Sequence, residues 1–171
     1  MRWTPAGWNR GAGLAVLLAL GSLTPVTSAF AQTTPSPVEL ALSGRVAHPR
    51  TLALDELKAL PPITVEVAHV TSGGEQKASY TGALLWTLLN AAAPMDDAGK
   101  GSHLQHVLLA RGQDGYAVAL AIGELDPRLE NKQVVVAYEQ DGKPLPALHL
   151  VVPGDAHSAR SVRDLVSVEV R

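Results

Sequence analysis

Apolar and polar residues alternate through much of this chain, and this pattern predicts mainly β-strands. Asp114-Gly115 separates two of the apolar runs and is typical of a tight hairpin turn. The predicted strands cover residues 38–44, 63–70, 106–110, 116–120, 133–138, 148–152 and 166–170. Each run is short and bounded by turn-forming residues, so these segments are expected to pair in sheets rather than stand alone.

Leucines at helical spacing predict fewer, shorter helices. Residues 51–60 place leucines three apart, with acidic residues early and Lys58 late, as the helix dipole prefers. Residues 83–93 carry leucines on one face and predict a core helix with Trp86 at its margin, and residues 122–129 predict a short helix. Strands outnumber helices and no repeat of 20–50 residues is present, so we expect an α+β (mixed α/β), strand-rich fold.

The first 31 residues have the organisation of a secretory signal peptide. Arg2 and Arg10 precede an apolar stretch at residues 11–20, and residues 29–31 provide the small side chains that a signal peptidase requires. A retained membrane anchor is the alternative, although the apolar stretch is short for a bilayer. The sequence therefore predicts a signal peptide that is removed after Ala31.

Beyond the signal, the chain is expected to form one domain in the periplasm or outside the cell. Residues 32–37 are rich in Thr, Pro and Ser and predict a flexible leader, and residues 38–171 have the size of a single domain. The two arginines of the signal are not adjacent, which favours the general secretion route over the twin-arginine route. A cofactor would then be acquired after export. No other stretch is long enough to span a membrane.

Charge and composition exclude several classes of function. Without Arg2 and Arg10, 12 of the 14 basic residues remain against 16 acidic ones, a net charge of −4 that predicts no nucleic-acid partner. The chain contains no cysteine, so it can form no disulfide and offers no thiolate for catalysis or metal binding.

The clearest candidate site is a polar loop between the last two predicted strands. It follows the Pro153-Gly154 break and carries Ser158, Arg160, Ser161 and Arg163. Guanidinium groups offer paired donors with a fixed charge, so two of them beside two hydroxyls suit a phosphate or another anion. An ordinary solvated turn is the alternative interpretation.

The histidines offer weaker candidates. His103 and His106 have a spacing that would suit a metal on a helix, but they lie where a loop enters a strand and no third ligand is evident. His157 falls within the anion loop and would strengthen anion binding when protonated, unless it is simply exposed. His69 and His149 are predicted to be core or edge residues of strands. No serine lies in a recognisable nucleophile motif, so the sequence does not support hydrolysis.

Several segments, taken in order, resemble the molybdopterin-binding domain of the sulfite oxidase family. Each motif is weak alone, but their order and spacing cover residues 38–170, nearly the whole predicted mature chain. The segments are LSGRV at 42–46, LALDEL at 52–57, YTG at 80–82 before LLWTLL at 84–89, DGY at 114–116, DGKPL at 141–145, and LVVPG at 150–154 with ARSV at 159–162.

This resemblance implies a strand-rich mixed fold in which the loop at residues 158–163 helps to hold the pterin and its phosphate. Arg160 and Ser161 occupy matching positions, and Arg163 stands where family enzymes usually have a basic residue. Family enzymes bind molybdenum through a cysteine that follows a strand equivalent to residues 63–70. Here that point reads Thr71-Ser72-Gly73, and a hydroxyl is a poor replacement for a soft thiolate.

Two functional hypotheses follow. The first is an exported molybdopterin-binding-domain-like protein that binds pterin or another anion through Thr71, Ser72 and the loop residues, without its own molybdenum chemistry. The second is a cofactor-free interaction module that keeps only the fold and binds a protein partner. The resemblance implies molybdopterin as the cofactor, and the missing thiolate leaves open that none is bound. Whether the chain is an enzyme stays open.

Overall fold

The computed structural model describes residues 38–71 and 74–171. The predicted signal peptide and leader lie outside these residues. The strands are β1 (Glu39–Gly44), β2 (Arg50–Ala53), β3 (Pro62–Thr71), β4 (Gly74–Leu84), β5 (Val107–Gly112), β6 (Ala117–Ala121), β7 (Val135–Gln140), β8 (Lys143–Val151) and β9 (Leu165–Val170). The helices are α1 (Leu54–Lys58), α2 (Leu85–Ala92) and α3 (Ile122–Leu125), and 3-10 turns cover Ser102–Gln105 and Ser158–Arg160. No described helix is long and apolar enough to cross a membrane.

The strands form two sheets. The larger sheet has the order β2-β1-β9-β5-β6, and the smaller one has the order β3-β4-β7-β8. All pairings are antiparallel except that of β1 with β9, which brings the two ends of the domain together. Strands β3 and β8 are therefore the edges of the smaller sheet, and the predicted anion loop leaves from one of these edges.

The main core contains side chains from both sheets and from the first two helices. Leu40 of β1, Leu108 of β5 and Leu150 of β8 are fully buried there, together with Leu85 and Leu89 of α2. Since α2 presents its leucines to this core and leaves Trp86 only half-buried, the predicted core helix is confirmed.

The smaller sheet also buries part of its second face. Val65 and Val67 of β3, Val135 and Ala137 of β7, and Val151 of β8 form a separate apolar cluster. Strand β7 thus has buried residues pointing both ways, which explains why its sequence is a continuous apolar run instead of an alternating one.

The strand-rich α+β fold is confirmed, with three local corrections. The predicted helix at residues 51–60 is wrong in its first part, because Leu52 pairs with Leu40 and is buried as part of β2. The strand predicted to begin at residue 148 already begins at Lys143 as β8. The prolines of β8 are tolerated because it is an edge strand. Strand β4 has no counterpart among the predicted strands.

Candidate functional site

A polar cleft of about 600 Å³ lies beside the outer face of the smaller sheet. Strand residues form its floor, and the loop that follows β8 forms one wall. Its polar lining consists of Gln76, Lys77, Tyr80, Gln140 and His149 from the strands and Ser158, Ser161 and Arg163 from the loop. None of the described lining residues is acidic.

Strand β4 contributes to the cleft because it is longer than its neighbour β7. The two strands pair from Tyr80 to Leu84, and β4 extends beyond this region toward Gly74 with β3 as its partner. Asp141 closes the end of the β4–β7 pairing, since its Oδ1 accepts from the Ser79 N–H at 2.9 Å. The extension carries Lys77 to the cleft.

The loop wall is attached to the rest of the domain at several points. Val162 and Leu150 form an isolated antiparallel bridge, with N···O distances of 2.8 and 3.0 Å. The Val70 N–H donates to the Ala156 carbonyl at 3.0 Å, so the end of β3 lies directly beside the start of the loop. The Tyr116 hydroxyl donates to the Ala159 carbonyl. The loop backbone is thus held from the sheet on one side and from the β5–β6 hairpin on the other.

Arg160 points away from the cleft lining and into a pair of carboxylates. Its Nε and Nη2 donate to both oxygens of Asp155, at 2.8 and 2.6 Å, and its Nη1 donates to Glu124 at 2.7 Å. These hydrogen bonds raise the pKa of the Arg160 guanidinium above its ordinary value. Burial raises the pKa of Glu124, but the hydrogen bonds from Arg160 and the Ala121 N–H, together with the charges of Arg160 and Lys132, outweigh burial and hold this pKa below its usual range.

The surroundings of Arg163 and Lys77 differ from those of Arg160. Both side chains are exposed and both line the cleft. Among the described residues, neither forms an ion pair or a side-chain hydrogen bond. The cleft therefore contains two positive charges without a negative partner in the described part of the chain.

His149 and Tyr80 form the aromatic part of the floor, with ring centroids 6.5 Å apart. Burial lowers the pKa of His149 below its ordinary value, and the charge of Arg163 lowers it further while Asp164 opposes both. Burial likewise raises the pKa of the Tyr80 hydroxyl, against the effect of Arg163. The imidazole is therefore neutral at pH 7 and could gain a proton if an anion entered the cleft.

The residues predicted from sequence are distributed unevenly around this site. Ser158, Ser161 and Arg163 line the cleft, whereas Arg160 is paired with carboxylates beside it. Thr71 is the last residue of β3, and Ser72 lies outside the described residues. Their roles in binding stay predictions.

Sequence reasoning missed five polar residues of the cleft: Gln76, Lys77, Tyr80, Gln140 and His149. His149 was interpreted only as a core or edge residue of a strand. It lies between the buried Leu148 and Leu150, so alternation alone places it on the opposite face of β8. The polar residue on that face was the available signal.

His103 and His106 lie beside carboxylates. His106 is buried and its Nε2 lies 2.8 Å from Asp96 Oδ1, while His103 Nε2 lies 4.0 Å from Asp126 Oδ2. Residues 38–71 and 74–171 contain no group of three or more side chains arranged to hold a metal ion. His157 is exposed, with its Nδ1 3.2 Å from the Val70 carbonyl.

The fold and the cleft define a class of protein: a two-sheet α+β domain with a basic cleft beside the loop that follows a Pro-Gly break. Comparison with known families makes this specific. The sequence model described as "oxidoreductase molybdopterin binding domain" matches residues 27–171. The chain belongs to this family, and the resemblance noted from the motifs is confirmed.

A solved structure has the same fold. The chain is similar to the crystal structure of the sulfane dehydrogenase SoxCD from Paracoccus pantotrophus, with a TM-score of 0.63 and 18% sequence identity. The similarity covers 78% of this chain and 38% of that chain, so the present sequence spans well under half of the larger protein. No curated protein sequence gave a significant match.

The residues present fit one part of the family's cofactor and not the other. Lys77, Arg163 and the two serine hydroxyls are suitable donors for a phosphate or a similar anionic group. The resemblance places a cysteine thiolate on molybdenum, and the chain has no cysteine to provide one. The lining residues thus suit the anionic group of the cofactor, and the thiolate ligand of the metal is missing.

Proposed function

We propose that this protein is an exported member of the family that binds an anionic ligand or a pterin in the cleft and has no molybdenum redox chemistry of its own. The observation that carries the proposal is the convergence of Lys77 and Arg163 on one cleft. Both cations lack a carboxylate partner within the described residues. An anion that enters between them gains charge-assisted hydrogen bonds without displacing an existing ion pair.

The neighbouring groups support the same ligand chemistry. Ser158 and Ser161 add hydroxyl donors from the loop, and Tyr80 and His149 provide flat surfaces on the floor. A phosphate attached to a planar heterocycle would satisfy both parts of this surface. Because no described lining residue is acidic, no lining carboxylate opposes the approach of a negative charge.

The proposed lack of redox chemistry is supported by the donor set. A molybdenum centre supplies electron transfer that side chains cannot perform, and the resemblance places a cysteine thiolate among its ligands. Threonine stands at the position where the resemblance places the metal-binding cysteine. Its hydroxyl keeps its proton at neutral pH and is a weak replacement for a thiolate.

The export part rests on the signal-like N-terminus. If the chain crosses the membrane unfolded, any ligand is acquired in the periplasm or outside the cell. This agrees with an open cleft on the surface of the domain, because a ligand can enter the cleft after folding. A Sec-dependent precursor that accumulates when secretion is blocked would support this part.

The test combines ligand titration with cofactor analysis. Calorimetric titration of the purified protein with inorganic phosphate and with a phosphorylated pterin is expected to show binding that Arg163→Ala weakens. Elemental analysis of protein from the native host is expected to show no stoichiometric molybdenum. A Thr71→Cys variant measured alongside shows whether a thiolate at that position is enough to retain the metal. Stoichiometric molybdenum in the unmodified protein would overturn the redox part of the proposal.

A second function, a cofactor-free interaction module, is favoured by the same missing cysteine. It predicts that neither phosphate nor a pterin binds with measurable affinity. Chemical cross-linking in the native compartment would then capture a protein partner whose contacts do not depend on Arg163.

A further inference from the structure

We propose that Arg160 is a positioning residue, which holds the anion loop in its binding shape through Asp155 and Glu124 and does not contact the anion. The inference rests on the proposed anion site. It reverses the interpretation of Arg160 as a ligand, which its place in the loop sequence suggested.

The hydrogen bonds of Arg160 occupy three of its five N–H donors. Each of its three guanidinium nitrogens donates to a carboxylate oxygen, at distances from 2.6 to 2.8 Å. The pairing with Asp155 is bidentate, which is the strongest arrangement that an arginine forms with a carboxylate. An anionic ligand that accepted from the two remaining N–H groups would lie beside two carboxylates, which repel it.

The charge around Arg160 also disfavours an anion. The Lys132 Nζ lies 3.1 Å from Glu130 Oε1, 3.5 Å from Glu124 Oε2 and 3.9 Å from Asp155 Oδ1. The cluster therefore combines two cations, Arg160 and Lys132, with three carboxylates. Its net charge is negative, so it repels an anion, whereas the cleft on the other side of the loop attracts one.

The same contacts explain how the loop keeps its shape. Asp155 and Arg160 stand at the two ends of the segment that carries Ser158, and their bidentate ion pair joins these ends. We call this ion pair the clamp. Glu124 connects the clamp to α3, where its Oε1 also accepts from the Ala121 N–H at 3.2 Å. Within the clamp, the Ser161 N–H donates to the Ser158 carbonyl at 2.9 Å. The hydroxyls of the anion site are thus positioned before any ligand arrives, which lowers the entropic cost of binding.

Asp155→Asn separates a positioning role from a ligand role, because the two predict opposite signs. Glu130→Gln removes one negative charge from the same cluster and leaves the hydrogen bonds of Arg160 in place, so it is the reference for the loss of charge. If Arg160 only positions the loop, the loss of the Asp155 carboxylate loosens the clamp, and inorganic phosphate is expected to bind about tenfold more weakly than in Glu130→Gln. If Arg160 were a ligand, the same change would release its guanidinium and tighten phosphate binding. Tighter binding would overturn the proposal.

Arg160→Lys provides the second comparison. A lysine keeps the positive charge but cannot form the bidentate fork. For a positioning residue, Arg160→Lys should weaken phosphate binding nearly as much as Arg160→Ala. A direct phosphate contact would instead let lysine retain most of the affinity, and that result would contradict the inference.

Hydrogen exchange measured without ligand tests the clamp independently of the proposed function. Amide exchange at residues 156–161 is expected to accelerate about tenfold in Asp155→Asn and Arg160→Lys, while exchange in β7 stays unchanged. Unchanged loop exchange in both variants would refute the positioning role. If the unmodified protein binds no phosphate, the proposed anion site fails, and the exchange experiment still decides whether Arg160 positions the loop.

Discussion

Arg160 and Arg163 lie three residues apart on one loop, yet their side chains enter opposite environments. Arg160 is half-buried and forms hydrogen bonds to Asp155 and Glu124. Arg163 is exposed at the cleft and has no ion-pair partner among the described residues. On one side of the loop the arginine is thus already paired with carboxylates, and on the other side the arginine keeps its positive charge available to a ligand.

The difference between the two arginines shows that a charged side chain marks a binding residue only when the protein's own carboxylates do not already pair with it. A guanidinium already paired with two carboxylates contributes to structure, and its removal takes three hydrogen bonds from those carboxylates. An unpaired guanidinium contributes little to stability, and its removal is felt when an anion binds. The predictions below separate these two effects.

The largest expected effect is on the cleft side. In a Lys77→Ala, Arg163→Ala double variant, phosphate affinity is expected to fall by at least about 100-fold, because two charge-assisted hydrogen bonds of about 1.5–3 kcal/mol each are lost. The free energy of unfolding should change little. Calorimetric titration and denaturant unfolding measure the two quantities.

The matched control is Lys100→Ala, which removes an exposed lysine outside the cleft and should leave both the phosphate affinity and the free energy of unfolding unchanged. Equal loss of affinity in this control would attribute binding to general charge.

The next effect is on the clamp side and concerns stability. Arg160→Ala is expected to lower the free energy of unfolding by about 1–2 kcal/mol, because Asp155 and Glu124 lose their hydrogen-bond donor. Their side chains are only 18% and 21% exposed, so water compensates incompletely. Arg163→Ala should change the same quantity by less than about 0.5 kcal/mol. Urea denaturation of both variants measures the difference. Equal stability of the two variants would break the comparison between the arginines.

Much of this fold could be predicted from the sequence because its strands are short, apolar and separated by turn residues. Strand β9 and the β5–β6 hairpin follow from local pattern alone. Strand β2 does not, because residues 50–53 become extended only through pairing with β1, and their leucine spacing also suits a helix. Where a partner strand decides the structure, local periodicity is insufficient.

The candidate site was predictable to the extent that its residues are close in sequence. Ser158, Ser161 and Arg163 share one loop and line one cleft. The environment of Arg160 was not predictable, because Glu124 lies 36 residues away. Lys77 was hidden for a similar reason: it reaches the cleft only because β4 extends beyond β7.

A smaller effect concerns the pH dependence of binding in the cleft. The pKa of His149 lies below its ordinary value, through burial and through Arg163, so the ring is neutral at pH 7. A bound anion favours the protonated ring, and anion affinity should therefore rise as the pH falls from about 7.5 to about 5. We expect an increase of about three- to tenfold for sulfate, whose own charge is constant over this range.

Two histidine variants distinguish the source of this pH dependence. His149→Gln should flatten the sulfate profile, whereas His157→Gln should retain it, because His157 is exposed and its ring lies against the Val70 carbonyl. If the pH dependence of sulfate affinity is lost in His157→Gln and kept in His149→Gln, the titrating group is His157 of the loop and not His149 of the cleft floor.

The smallest effect is the pH dependence of the clamp itself. Burial raises the folded-state pKa of Glu124, but the hydrogen bonds from Arg160 and Ala121 and the charges of Arg160 and Lys132 together lower it below its ordinary value. Its contribution to stability is thus fully present above the usual glutamate pKa of about 4.3 and is lost as the pH falls through the lower folded value.

In Arg160→Ala, the main stabilising hydrogen bond is absent while burial remains, so the acid-dependent loss attributable to Glu124 should shrink by up to about 1 kcal/mol. Urea unfolding at about pH 7 and about pH 3.5 measures this loss, and Arg163→Ala should show the full loss of the unmodified protein. An identical acid response in both arginine variants would show that Arg160 does not determine the ionisation of Glu124, and the two sides of the loop would then differ less than their hydrogen bonds suggest.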